Sequence, residues 1–210
     1  MDKRVLIGPE PERLEAELRG QFAGLDLLLW RTQDADGMFS VSAVPAHQVY
    51  ELIEAMALKI CRVIDRYSQV RVRPEQDEPA RALVIIRSRQ PALFIGRHGQ
   101  TLDAIEFILN LVVSQRVGLR VQLTADIDQY RKKRMGFLDA LMRRMVREIE
   151  QDHRERPLPG LLPRERRHVH TQLSNHPYLT TESRGRGHRR TLYILPRKDF
   201  DAAGGLNERR

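Results

Sequence analysis

The feature that most constrains this chain is a four-residue loop, Gly96-Arg97-His98-Gly99, set between two helical stretches. Ahead of it, Ala82–Arg87 is an apolar, β-branched segment of strand type. Pro91–Ile95 reads as a very short helix, with Pro91 suited to its first turn. Behind the loop, Thr101–Gln115 reads as a helix in which Leu102, Ile105, Phe107, Ile108, Leu109 and Val112 are expected to pack. Gly118 closes that helix, and Leu119–Leu123 alternates like a strand. Two glycines in such a loop have a physical use, because missing side chains let another backbone approach closely. The helix after the loop offers free N–H groups and a positive dipole end to a phosphate. Arg97 and His98 add charge and hydrogen bonds, although a histidine is charged only in part near neutrality. Two glycines at this spacing are common by chance; the order strand, helix, loop, helix, strand makes this instance specific.

The flanking sequence extends the pattern. Val49–Tyr67 reads as a helix with Val49, Ile53, Met56, Ala57, Ile60 and Ile64 on one face, and Val70 and Val72 mark a short strand. Residues 46–126 therefore read as α-β-β-α-α-β. Residues 1–45 read as a small β-α-β-β unit without a chemical signature. Ile127–His153 reads as one long helix, buried through Ile127, Tyr130, Leu138, Leu141, Met145 and Ile149. Its other face carries Arg131, Lys132, Lys133, Arg134, Arg143, Arg144 and Arg147. Pro157, Pro159 and Pro163 impose an irregular passage, so any strand there is expected at an edge or distorted. Arg164–Ser174 reads as a helix, and Tyr178–Glu182 and Thr191–Leu195 as strands around the loop 183–190. Residues 199–210 are expected to form a flexible tail.

Charge narrows the partners. The 210 residues carry a formal net charge of +8, and the excess is uneven: residues 1–45 hold −3 and residues 161–210 hold +6. A polyanion is drawn to the C-terminal half. No stretch approaches the ~20 apolar residues of a membrane span, and the start lacks the apolar region of a secretory signal. Cys61, the single cysteine, can form no internal disulfide and no CxxC zinc site, and is expected to pack in a core. His168, His170 and His176 lack a carboxylate or cysteine at ligand spacing, so neither metal nor cofactor is expected. No nucleophile elbow and no phosphate-binding Walker loop is present, and the chain reads as a binder rather than an enzyme.

In this order, the loop resembles that of a type II KH domain. The stretch Phe94-Ile95-Gly96-Arg97-His98-Gly99-Gln100-Thr101-Leu102-Asp103-Ala104-Ile105, with Asn110-Leu111-Val112-Val113 and Asp128-Gln129-Tyr130-Arg131, is similar to the Jag (SpoIIIJ-associated, KhpB-like) family. Members of that family usually carry Lys-Arg between the glycines, where this chain has Arg97-His98. Further on, Pro163-Arg164-Glu165-Arg166-Arg167-His168-Val169-His170, Tyr178–Ser183 and Arg189-Arg190 resemble the R-three-H domain in its Jag version. A helical Arg-xxx-His spacing puts Arg166 and His170 on one face, one turn apart. The resemblance implies an α+β protein: an N-terminal unit (1–45), a KH domain (46–126), and a small R-three-H domain that includes the long helix (127–198). It implies single-stranded RNA as partner, with single-stranded DNA left open, and a role as a cytoplasmic bacterial RNA chaperone or regulator. The implied contacts are Gly96, Arg97, His98, Gly99 and Gln100, then Arg164, Arg166, Arg167, His170, Arg184, Arg186 and Arg190. The alternative is an adaptor that docks on the ribosome or on another KH protein. The family's usual N-terminal motif is not recognisable in residues 1–45.

Overall fold

The computed structural model describes residues 1–75, 81–187 and 190–197. The expected tail, 199–210, lies outside the described residues. The chain divides into two compact units, Met1–Asp128 and Gln129–Arg210. The expected boundary near residue 45 falls inside the first unit.

The first unit begins with β1 (Arg4–Gly8), α1 (Pro11–Gln21), β2 (Leu27–Gln33) and β3 (Phe39–Pro45). The three strands form an antiparallel sheet in the order β1-β3-β2. Its core is small: Leu18, Phe22, Val41 and Ala43, with Leu6, Leu14, Leu27 and Leu29 packed around them. A core of this size gives little independent stability, and hydrogen bonds tie the segment to residues 46–128 of the same unit. Trp30 Nε1 donates to the Arg120 carbonyl at 2.9 Å, Lys3 Nζ to the Gly118 carbonyl at 3.2 Å, and the Asp2 amide to Gln48 Oε1 at 2.8 Å.

The rest of the unit runs α2 (Ala46–Ile64), β4 (Gln69–Pro74), β5 (Arg81–Arg87), α3 (Pro91–Ile95), one 3-10 turn (Arg97–Gly99), α4 (Gln100–Val117) and β6 (Gln122–Ile127). On α2, Val49, Ile53, Ala57 and Cys61 recur every four residues and are all fully buried. Burial pushes the Cys61 thiol up to about 11, which leaves it an inert packing group. β5 is central, antiparallel to β4 and parallel to β6.

Side chains of α4 close the open edge at β6. Asn110 donates to the Leu123 carbonyl and accepts from the Leu123 amide, both at 2.8 Å. Glu106 Oε2 accepts from the Ala125 amide at 2.8 Å, and Ser114 Oγ from the Val121 amide at 3.1 Å. The match is one of periods. Four helical residues rise about 6 Å and two strand residues advance about 6.6 Å, so a row at 106, 110 and 114 meets alternate amides at 125, 123 and 121. This clasp fixes α4, and with it the loop ahead of α4. The strand therefore runs later than the expected 119–123, because Gly118 caps α4 in a left-handed conformation and residues 119–121 only connect. The packing of α4 differs too. Leu102, Ile105, Leu109, Val113 and Val117 form one buried stripe, which turns Phe107 (69% exposed) and Ile108 (44% exposed) to solvent.

The second unit consists of α5 (Tyr130–Asp152), β7 (Arg156–Leu158), α6 (Pro163–Leu173), β8 (Leu179–Arg184) and β9 (Thr191–Pro196). The sheet order is β7-β9-β8, all antiparallel. The proline-rich strand lies at an edge, where a residue without an N–H costs no ladder bond. Its core gathers Leu138, Met142 and Ile149 of α5 with Leu158, Leu161, Val169, Leu173, Leu179, Leu192 and Ile194. Helix α5 starts three residues later than expected: Asp128 and Gln129 are left-handed (φ 52° and 56°), and Ile127 is buried at the end of β6.

Candidate nucleic-acid interface

The loop between α3 and α4 is built by backbone geometry. Gly96 has φ 65° and ψ −164°, a region open essentially to glycine alone. Gly99 has φ 90°, and His98 between them is left-handed at φ 53°. A Cβ on Gly96 would lie 2.0 Å from Thr101 Oγ1 and 2.8 Å from Thr101 Cβ. Glycine at 96 is therefore demanded by the chain's own closure onto α4, whatever approaches from outside. Arg97, His98 and Gln100 are exposed, and none of the three has an ion-pair or side-chain hydrogen-bond partner among the described residues. No side chain caps the N-terminus of α4. The loop thus presents a guanidinium and an imidazole beside a helix N-terminus that no side chain caps, which suits phosphate oxygens.

The residues around α6 are in a different state. Glu165, Val169 and Leu173 are the buried stripe of this helix. Arg166 and His170 lie together on the flank next to that stripe, one turn apart, as expected. Arg166 Nη1 donates to the Leu161 carbonyl at 2.6 Å, and His170 Nδ1 shares a hydrogen bond with Thr181 Oγ1 of β8 at 2.6 Å. On the opposite flank, His168 Nε2 meets Asp139 Oδ1 of α5 at 2.7 Å. Glu165, 1% exposed, forms an ion pair with Arg134 at 2.8 Å, and its other oxygen accepts the Leu162 amide at 2.9 Å. Arg134 belongs to the core side of α5 and not to its solvent face, as the sequence suggested; a buried carboxylate requires it there.

The remaining arginines divide. Arg184 is held by Glu155 through two bonds of 2.9 Å and by Glu182 at 2.8 Å, and it lies over the Tyr193 ring at 4.4 Å. Those two carboxylates raise its already high pKa and neutralise its field. Arg167, Arg186 and Arg190 are exposed, the last two on the loop after β8, and Arg164 is exposed on α6. The expected contacts at 96–100 thus form one segment of the first unit, and those at 164–190 lie in the second. Among the described residues, no group of three His, Cys, Asp or Glu side chains is placed to hold a metal ion.

Residues 136–196 match the R-three-H domain family. The chain is also 32% identical over 112 residues to the RNA-binding protein KhpB of Bacillus subtilis, covering 52% of this chain and 53% of that protein. It is 29% identical over 102 residues to the RNA-binding protein KhpB of Clostridium symbiosum, covering 49% and 46%. The corresponding match in Lactiplantibacillus plantarum is 29% over 106 residues, covering 50% and 33%. The chain is a relative of the KhpB/Jag-like family. It matches these KhpB proteins over about half their length or less. Its R-three-H domain starts within α5, and the expected contact residues Arg166 and His170 fall inside the matched segment. The Arg134–Glu165 and Asp139–His168 pairs were not visible in the sequence, because partners 31 and 29 residues apart leave no periodic trace. No helix among the described residues is long and apolar enough to cross a membrane.

Proposed function

We propose that this protein binds single-stranded RNA through two modules: a type II KH fold over residues 46–126 and the R-three-H domain. The observation that carries this reading is the loop 96–99, whose charged side chains have no internal partner among the described residues and which opens directly onto an uncapped helix N-terminus. The α-β-β-α-α-β order, the parallel pairing of β5 with β6 and the names of the relatives support it. In this reading Gly96–Gln100 grip backbone phosphates, as a KH loop clamps about four nucleotides. Arg166 and His170, with Arg164, Arg167, Arg186 and Arg190, give the second module its contacts. Two linked modules on one strand raise affinity through effective concentration. The protein then acts in the cytoplasm as an RNA chaperone or post-transcriptional regulator, a binder without a catalytic step.

The test is RNA affinity in the pair Arg97→Asp, His98→Asp, with the fold checked by circular dichroism. Loss of binding with the fold kept supports the reading; unchanged affinity removes the loop from the interface. A second reading, an adaptor whose partners are proteins, is favoured by the exposed apolar side chains Phe107, Ile108 and Leu111 on α4. Mass in solution, measured with and without ribonuclease, separates the two: an assembly that survives ribonuclease is held by protein contacts.

A further inference from the structure

Residues 46–90 carry a net charge of only +2, yet the structure gathers five of their seven arginines at one corner. Helix α2 ends at Ile64, and the turn Asp65–Ser68 leads into β4. Asp65 is 7% exposed; its carboxylate accepts the Tyr67 amide at 2.9 Å and the Ser88 hydroxyl at 2.5 Å. The turn is thereby tied to the segment that runs from β5 into α3. The tie holds Tyr67 outward, 61% exposed. The Arg66 guanidinium lies 4.7 Å from the centre of its ring and that of Arg89 5.7 Å.

The next residue, Ser68, is buried, and its hydroxyl has no hydrogen-bond partner among the described residues. It lines a cleft of about 290 Å³ together with Arg62, Arg71 and Arg87. These three arginines are exposed, and none is in an ion pair among the described residues. Glu54 also lines the cleft, which leaves it net positive. An exposed aromatic ring with cations beside it adds little to a core, and a buried hydroxyl without a partner costs stability. Both fit a ligand that has a flat π-face and an anionic oxygen, which is the chemistry of a nucleotide.

We propose that Tyr67, with Arg66 and Arg89, is a base-stacking platform of the RNA interface, and that the adjoining Arg62, Arg71 and Arg87 cleft takes phosphate of the same strand. The proposal rests on the RNA-binding reading above and extends it from the backbone to the bases. An arriving base displaces one guanidinium from the ring or stacks over it; either way the π contact is kept.

The probe is a single-stranded RNA of about twelve nucleotides carrying 4-thiouridine, longer than the roughly four that the loop alone clamps. With the full chain, Tyr67→Ala weakens binding roughly tenfold, Tyr67→Phe keeps it, and ultraviolet crosslinks map to Tyr67. Arg62→Ala with Arg71→Ala lowers the slope of log K against log salt by about one for each phosphate lost. Wild-type affinity in Tyr67→Ala without a crosslink at Tyr67, while Arg97→Asp with His98→Asp still abolishes binding, overturns this proposal alone. Failure of the wild-type chain to bind the probe overturns the RNA reading itself and this platform with it. Efficient displacement of the crosslink by free uridine monophosphate makes the corner a mononucleotide site and also overturns the proposal.

Discussion

The loop at 96–99 and the arginine-rich face of α6 look alike in the sequence, and they differ in what their charges already do. In the loop, Arg97 and His98 have no partner among the described residues. Around α6, Arg166 bonds a carbonyl, His170 a threonine, His168 an aspartate, and Arg184 two glutamates. The loop's shape is held by backbone angles and the clasp of α4 on β6, so its side chains are left for a ligand. The second module is small and recruits charged side chains into its own scaffold. Positive charge along a chain therefore overstates the charge available to a partner.

That contrast can be broken in several ways. Arg134→Ala strands the Glu165 carboxylate in the core of the second unit, and a loss of about 3–5 kcal/mol in denaturant unfolding is expected. Replacing both by apolar residues of similar volume (Arg134→Met, Glu165→Met) is expected to recover most of that loss. Gly96→Ala is expected to cost about 1–3 kcal/mol, because alanine must adopt a glycine-only conformation and its Cβ meets Thr101. Thr101→Ala in the same chain should restore only part of it, since the backbone strain stays. Gly96→Asp is consequently no clean probe of RNA contact, whereas Arg97 and His98 are. Arg184→Ala should change RNA affinity less than Arg186→Ala or Arg190→Ala, as read by filter binding, because Glu155 and Glu182 already offset its charge.

The smallest effect is one of pH. The Ser88 hydroxyl and the Tyr67 amide bonded to Asp65 hold its carboxyl below the usual carboxylate range. A lowered native pKa contributes stability that is present above the unfolded value, about 3.9, and is lost as pH falls through the native value. The stability difference between wild type and Asp65→Asn is expected to be full near neutrality and to shrink below about pH 4, in denaturation curves taken across that range.

Much of the fold is legible in the residues themselves. The strands at 81–87 and 191–196, the short helix at 91–95 and the proline-bearing edge strand follow from patterns that act over a few residues. The misses have a common origin. Phe107 and Ile108 read as core because α4 is apolar nearly all round, and only the clasp of Glu106, Asn110 and Ser114 on β6 settles its rotation. The start of α5 reads too early because Asp128 and Gln129 adopt left-handed angles, which aspartate tolerates and glutamine gives no sign of. At the candidate interface, the loop stands out through the element order around it, and the Arg166–His170 pair through the resemblance of its flanking sequence, not through spacing alone. The corner at Tyr67 is not, because its arginines come from three separate segments, and a local count of +2 conceals them. That the ends of α2 and β5 meet there is a tertiary fact.

In the function proposed above, the unpartnered cations of the loop grip the strand more than the total charge of the chain does. The most direct test of this is a titration of single-stranded RNA at several salt concentrations for wild type and for Arg97→Asp with His98→Asp. Weaker binding and a log K against log salt slope shallower by about one to two are expected of the variant. Equal affinity and an equal slope in the two proteins would contradict it.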